Sequence, residues 1–100
     1  MMTADRERCE RIAALFQGFD DPTRIRILFL LIDGERCVGD IADAMALSQS
    51  AVSHHLRILK TMRLIRFRRK GKNLLYSLAD DHVEHILQTG MDYIIKTQNP

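Results

Sequence analysis

Apolar positions recur at helical spacing along most of the chain and change to a strand-like rhythm only over residues 64–78. In the segment 5–18, Cys9, Ile12, Ala13, Leu15 and Phe16 repeat every three or four positions, with Phe19 following, which predicts a first helix with a fraying end at Gly18. Asp20-Asp21-Pro22 then restarts the chain, with Asp21 suited to an N-cap and Pro22 to the first helical position. Ile25, Ile27, Leu28, Leu30, Leu31 and Ile32 make the second helix apolar on most sides, so it is expected at the centre. Asp33-Gly34 stops it.

A short helix over 38–45 presents Ile41, Ala42 and Met45 on one face. Ala46-Leu47 is a tight connection, and Ser48 caps a longer helix over 49–62 whose Val52, Leu56 and Leu59 point inward. Short helix, brief turn and longer helix form a helix-turn-helix pattern. Leu64, Ile65 and Phe67, then Leu74, Leu75, Tyr76 and Leu78, read as two strands with the Gly-containing tip Arg69-Lys70-Gly71-Lys72-Asn73 between them. The last helix, 80–97, carries the stripe Val83, Ile86, Leu87, Met91, Ile94 and Ile95. Asp80 and Asp81 sit at its start, where the helix dipole favours negative charge. The expected fold is mainly α with a β-hairpin wing (α+β), a winged helix-turn-helix in the order α-α-α-α-β-β-α. The first and last helices carry more apolar surface than a small monomer needs, so they are expected to pair across a two-fold axis.

The 100 residues suffice for one small domain, 1–100, and 46% hydrophobic with 28% charged residues is ordinary for a globular chain. No apolar run approaches the ~20 residues that span a bilayer. The start of the chain (Asp5, Arg6, Glu7, Arg8) lacks a signal-peptide hydrophobic stretch, which points to a cytoplasmic protein. Two cysteines, Cys9 and Cys37, are too few for a disulfide framework.

Net charge is only +2, but its distribution is uneven. Residues 44–79 contain no Asp or Glu, yet hold Arg57, Lys60, Arg63, Arg66, Arg68, Arg69, Lys70 and Lys72. One sign of charge concentrated in one segment suits a polyanion surface, and the bland alternative is a solvated basic face. Cys9, Cys37 and four histidines can in principle furnish a nucleophile and a base. Two of those histidines lie in the second helix of the helix-turn-helix, and no Gly-rich phosphate loop or metalloenzyme motif appears, so an enzyme is not expected. A winged helix used for protein or RNA contacts is a third reading, and the basic segment argues against a pure protein contact.

Three stretches carry a family resemblance: Asp21-Pro22-Thr23-Arg24-Ile25-Arg26-Ile27-Leu28, Cys37-Val38-Gly39-Asp40-Ile41-Ala42, and Leu47-Ser48-Gln49-Ser50-Ala51-Val52-Ser53-His54-His55-Leu56. With Arg69-Lys70-Gly71 and Leu75-Tyr76-Ser77-Leu78, nearly the whole chain resembles the ArsR/SmtB family of bacterial winged-helix repressors. The resemblance implies a homodimeric repressor on an inverted-repeat DNA operator, released by an effector that is often a metal ion. The N-terminal residues of the second helix in such a motif reach base edges, which here are Gln49, Ser50, Ser53 and His54. Arg57 and Lys60, with Arg63, are placed for phosphates, and the wing cations Arg68, Arg69, Lys70 and Lys72 for the backbone or the flanking minor groove. His55 is open between helix packing and a phosphate contact, and Arg66 between DNA and a solvated edge strand.

Two effector sites known in the family are matched in part. The last-helix site is matched by Asp80 and His82, with His85 one turn on, but its second half falls on Tyr93 and Lys96, and an ammonium has no lone pair for a metal. The other site is matched by Cys37 and Asp40 at the start of the third helix, with Cys9 as the N-terminal donor. Two thiolates and a carboxylate suit zinc, cadmium or lead. The alternatives are that Cys37 is a small buried hydrophobe and the histidines are exposed polar residues, or that Cys9 and Cys37 sense oxidation as a thiol pair.

Overall fold

The structure, a computed structural model, describes residues 5–98. Among these, the elements run α1 (Arg6–Gln17), α2 (Pro22–Ile32), α3 (Val38–Met45), α4 (Gln49–Thr61), β1 (Ile65–Lys70), β2 (Asn73–Leu78) and α5 (Asp81–Gln98). This is the winged helix-turn-helix order that the hydrophobic pattern predicts. Local chemistry sets most boundaries. Asp5, Asp21 and Ser48 each accept a backbone N–H three residues on, at 2.8, 2.9 and 3.1 Å. Asp80 Oδ1 accepts the backbone N–H of His82 at 2.9 Å. An N-cap of this kind contributes about 1 kcal/mol.

The core gathers around α2, whose Ile27 and Leu28 are fully buried. Ile41 of α3 and Val52, Leu56 and Leu59 of α4 meet it, and Val83 and Leu87 of α5 close the remaining side. Burying each such side chain stabilises the fold by roughly 1.5–3 kcal/mol. The hairpin pairs Ile65 with Leu78 and Lys70 with Asn73. Its loop is therefore only Gly71-Lys72, tighter than the sequence suggests, because Arg69, Lys70 and Asn73 are drawn into the ladder. Gly71 takes φ +62°, the conformation a type II′ turn demands at its first loop position. A short third edge is absent from the periodicity: Arg36 exchanges backbone hydrogen bonds with Tyr76 at 3.0 and 2.8 Å.

Gly18 ends α1 as its C-cap, as expected, but it does not fray. It is buried, and its N–H bonds to the Leu15 carbonyl. A Cβ there would collide with the Leu64 side chain, which is itself only 2% exposed. Arg24 also fastens this corner, donating from Nε to the Gly18 carbonyl at 3.2 Å and from Nη2 to that of Gln17 at 3.1 Å. Gly18→Ala is therefore expected to lower unfolding stability by about 1–3 kcal/mol, the usual cost of overpacking. A urea melt would check this. An unchanged midpoint would mean that Leu64 swings aside.

Helix α1 has no buried residue. Its Ile12 and Phe16 are 49% and 52% exposed, as are Tyr93, Ile94 and Ile95 of α5 at 67%, 47% and 51%. Between the two helices runs an apolar groove of about 430 Å³, lined by Phe16, Phe19, Ile25, Phe29, Ile86 and Ile94 among others. Among the described residues no helix is long and apolar enough to cross a membrane.

Candidate nucleic-acid interface

Helix α4 is amphipathic in the sense that the sequence predicts. Val52, Leu56 and Leu59 are buried, whereas Gln49, Ser50, His54 and Arg57 are exposed and Ser53 is half-buried. Positions 49, 50, 53, 54 and 57 share one face at helical spacing, opposite the core. The turn before the helix is compact because Ala46 adopts the left-handed conformation, φ 56°, and the Leu47 N–H returns to the Ala42 carbonyl at 3.0 Å. α3 thereby props the N-terminus of α4 outward.

His55 does not share the outward face. Its ring lies against the α2 N-cap, with Nδ1 3.9 Å from Asp21 Oδ2 and buried without a hydrogen-bond partner. The packing alternative for this residue is thus the one observed. The Asp21 carboxyl is held below the usual carboxylate range, chiefly because it accepts the Arg24 backbone N–H; burial opposes this, and His55 adds to it.

Lys60 leaves α4 towards the wing, its Nζ 4.7 Å from the centre of the Phe67 ring. Phe67 in turn meets Tyr76 across the ladder at 5.9 Å. This cation–π contact ties the C-terminal half of α4 to β1. Arg69, Lys70 and Lys72 are exposed at the hairpin end. Arg68 is engaged: its Nε and Nη2 donate to Glu35 Oε2 and Oε1 at 2.7 and 2.8 Å. The Arg68 hydrogen bond is the main reason the Glu35 carboxyl lies below its usual range, with Lys70 and Arg66 adding attraction. Arg68 is correspondingly harder to deprotonate. The sequence does not single out Glu35, and with the partners 33 positions apart no local signal points to it.

The effector candidates fall in two places. Cys37 is half-buried and is the N-cap residue of α3, yet it makes no side-chain capping bond. Asp40 is exposed in the first turn of that helix, and Cys9 is exposed on α1. At the other end, the Asp80 oxygen that caps α5 also lies 3.5 Å from His82 Nδ1, and the His82 side chain is 93% exposed. His85 is exposed one turn later. Among the described residues of one chain, no three His, Cys, Asp or Glu side chains form a group able to hold a metal ion.

The profile described as "Bacterial regulatory protein, arsR family" matches residues 21–66. A transcriptional repressor SmtB homolog from Synechocystis is 43% identical over 88% of this chain, which spans 67% of that relative. An antimony-specific transcriptional repressor has a similar structure, with TM-score 0.87 at 29% identity, over 100% of this chain and 91% of that one. A homodimeric winged helix-turn-helix DNA-binding domain from Mycobacterium bovis superposes with TM-score 0.86 at 26% identity, over 96% of this chain and 91% of that one.

Proposed function

The chain belongs to the arsR family of bacterial regulatory proteins, which are DNA-binding winged-helix repressors rather than enzymes, and we propose that it works in the cytoplasm as a homodimer on an inverted-repeat operator, released by a soft metal ion. The observation that carries the DNA part is the outward face of α4, where Gln49, Ser50, Ser53 and His54 stand clear of the core. Gln pairs with adenine through two hydrogen bonds, and Ser donates or accepts. Arg57, Arg69, Lys70 and Lys72 supply phosphate contacts beside it, which orient the protein without reading sequence. Homodimerisation through α1 and α5 is supported by the apolar groove that a single chain leaves open, and by the homodimeric form of the Mycobacterium bovis domain.

The metal part rests on donor chemistry. Cys37 brings a thiol that capping does not use, and Asp40 brings a carboxylate one turn on. Cys9 of the first helix is the third donor in this reading, although Cys9, Cys37 and Asp40 form no metal-holding group within the described residues of a single chain. Such a set favours zinc, cadmium or lead, and antimony is a further probe because a repressor of similar structure is antimony-specific.

Replacing Ser53 and His54 together by alanine is expected to reduce discrimination among operator sequences. Lys70→Ala is expected to weaken every duplex alike and to flatten the salt slope of log K by about 1. Fluorescence anisotropy against operator and scrambled duplexes reads both. A wing change that alters base preference, with a helix change that does not, would reverse the groove assignment.

A further inference from the structure

We propose that Glu35 sets the DNA affinity of the wing by occupying Arg68 in place of a phosphate. The pair is side-on, with two N–H groups of one guanidinium donating to the two oxygens of one carboxylate. Arginine grips a phosphate with the same fork. While Glu35 is there, the charge of Arg68 is neutralised by its own chain.

Glu35 is held at this spot by its neighbour. Arg36 is pinned to β2 by its two backbone bonds with Tyr76, and its Nε donates to the Leu30 carbonyl at 3.4 Å. Glu35 is therefore anchored to the sheet and to the end of α2. Strand alternation puts Arg66, Arg68 and Lys70 on one face of β1. All three lower the Glu35 carboxyl, so the acid sits inside the basic cluster. The segment 44–79 is free of acids along the chain, but in space it receives one from outside. An exposed ion pair contributes little to stability. Its electrostatic effect on an approaching polyanion is larger, because it removes one cation from the set that displaces counterions.

The inference rests on the DNA-binding reading. The test is a salt titration of a short mixed-sequence duplex with the wild-type protein, Glu35→Gln, Arg68→Ala and the double variant. Both residues are surface groups, and glutamine keeps the shape of glutamate. Glu35→Gln is expected to bind roughly fivefold tighter at physiological salt, with a slope of log K against log salt steeper by about 0.9, the signature of one added phosphate contact. Arg68→Ala leaves the Glu35 carboxylate facing Arg66 and Lys70 without its main partner, so it is expected to bind more weakly than wild type. The double variant, which removes both charges of the pair, is expected to match the wild type in affinity and slope. A slope flattened by about 0.9 in the double variant would overturn the proposal, because Arg68 would already be on phosphate in the wild type. So would a double variant that binds as tightly and with as steep a slope as Glu35→Gln, which would be a general charge effect, or no gain in Glu35→Gln at all. A wild-type protein with no salt slope would sink the DNA-binding reading as well, whereas a finite slope that Glu35→Gln leaves unchanged sinks this proposal alone.

Discussion

Ile94→Asp is expected to turn the protein into a monomer and to weaken operator binding by about 10²–10⁴-fold, the range lost when two linked sites bind separately. Ile94 lies on the groove between α1 and α5 and is 47% exposed in the single chain. A charge at a solvated surface position usually changes stability by no more than about 0.5 kcal/mol. The same charge inside an apolar contact between two copies is left buried and unpaired, which is strongly unfavourable. The effect should therefore appear in association and leave the core folded. Sedimentation velocity would show the monomer, and circular dichroism a loss of helix no larger than the twelve residues of α1. A variant that stays dimeric with full operator affinity would place the dimer contact elsewhere. The argument is reinforced by α1, which has no buried residue of its own. A twelve-residue helix is marginal in isolation, since isolated helices need about 12–15 residues even for good helix formers. Packing by a second copy supplies what this chain does not.

The parts of the fold that were legible in the sequence are those fixed by neighbours along the chain. Asp21-Pro22 and Ser48 cap their helices through bonds spanning three residues, so both starts can be read from residue types. The inward set Val52, Leu56 and Leu59 follows from helical period alone. What was hidden depends on contacts between distant segments. Gly18 ends α1 as the sequence suggests, but the close packing of Leu64 against it cannot be read from the sequence. The bridge at Arg36 involves one residue and has no period. The bond between Glu35 and Arg68 defeats a charge count along the chain, because the acid arrives from before α3. Along the chain Arg68 is a wing cation like Lys70 and Lys72, although its guanidinium already has a partner. His55 was ambiguous for a related reason, since its position depends on the Asp21 corner of α2.

Cys37→Ser is expected to abolish metal-driven DNA release, while His82→Ala leaves most of it. The two candidate sites differ in what their donors are already doing. Cys37 makes no capping bond at the start of α3, and Asp40 is exposed beside it. Asp80 instead holds the start of α5, where its Oδ1 accepts from His82 and Val83 at 2.9 and 3.4 Å. Drawing Asp80 to a metal would weaken that cap, and Tyr93 and Lys96 stand where the remaining donors of the last-helix pattern fall. A metal that binds the DNA-free dimer better must weaken DNA binding by the same coupling energy, typically about 1–3 kcal/mol, or 5–150-fold in affinity. A physical route exists at Cys37. The residue follows Arg36, which is hydrogen-bonded to β2 of the wing, and it begins α3, which props α4. A shift of the first helix against the start of α3 would alter the spacing of the two α4 helices in the dimer. The measurement is a titration of Zn(II), Cd(II) and Pb(II) into reduced protein, following thiolate charge-transfer absorbance and DNA release together. Normal release by Cys37→Ser with every metal, or loss of release in His82→Ala alone, would move the sensor to α5. If neither substitution matters and an oxidant alone releases DNA, Cys9 and Cys37 act as a thiol pair instead.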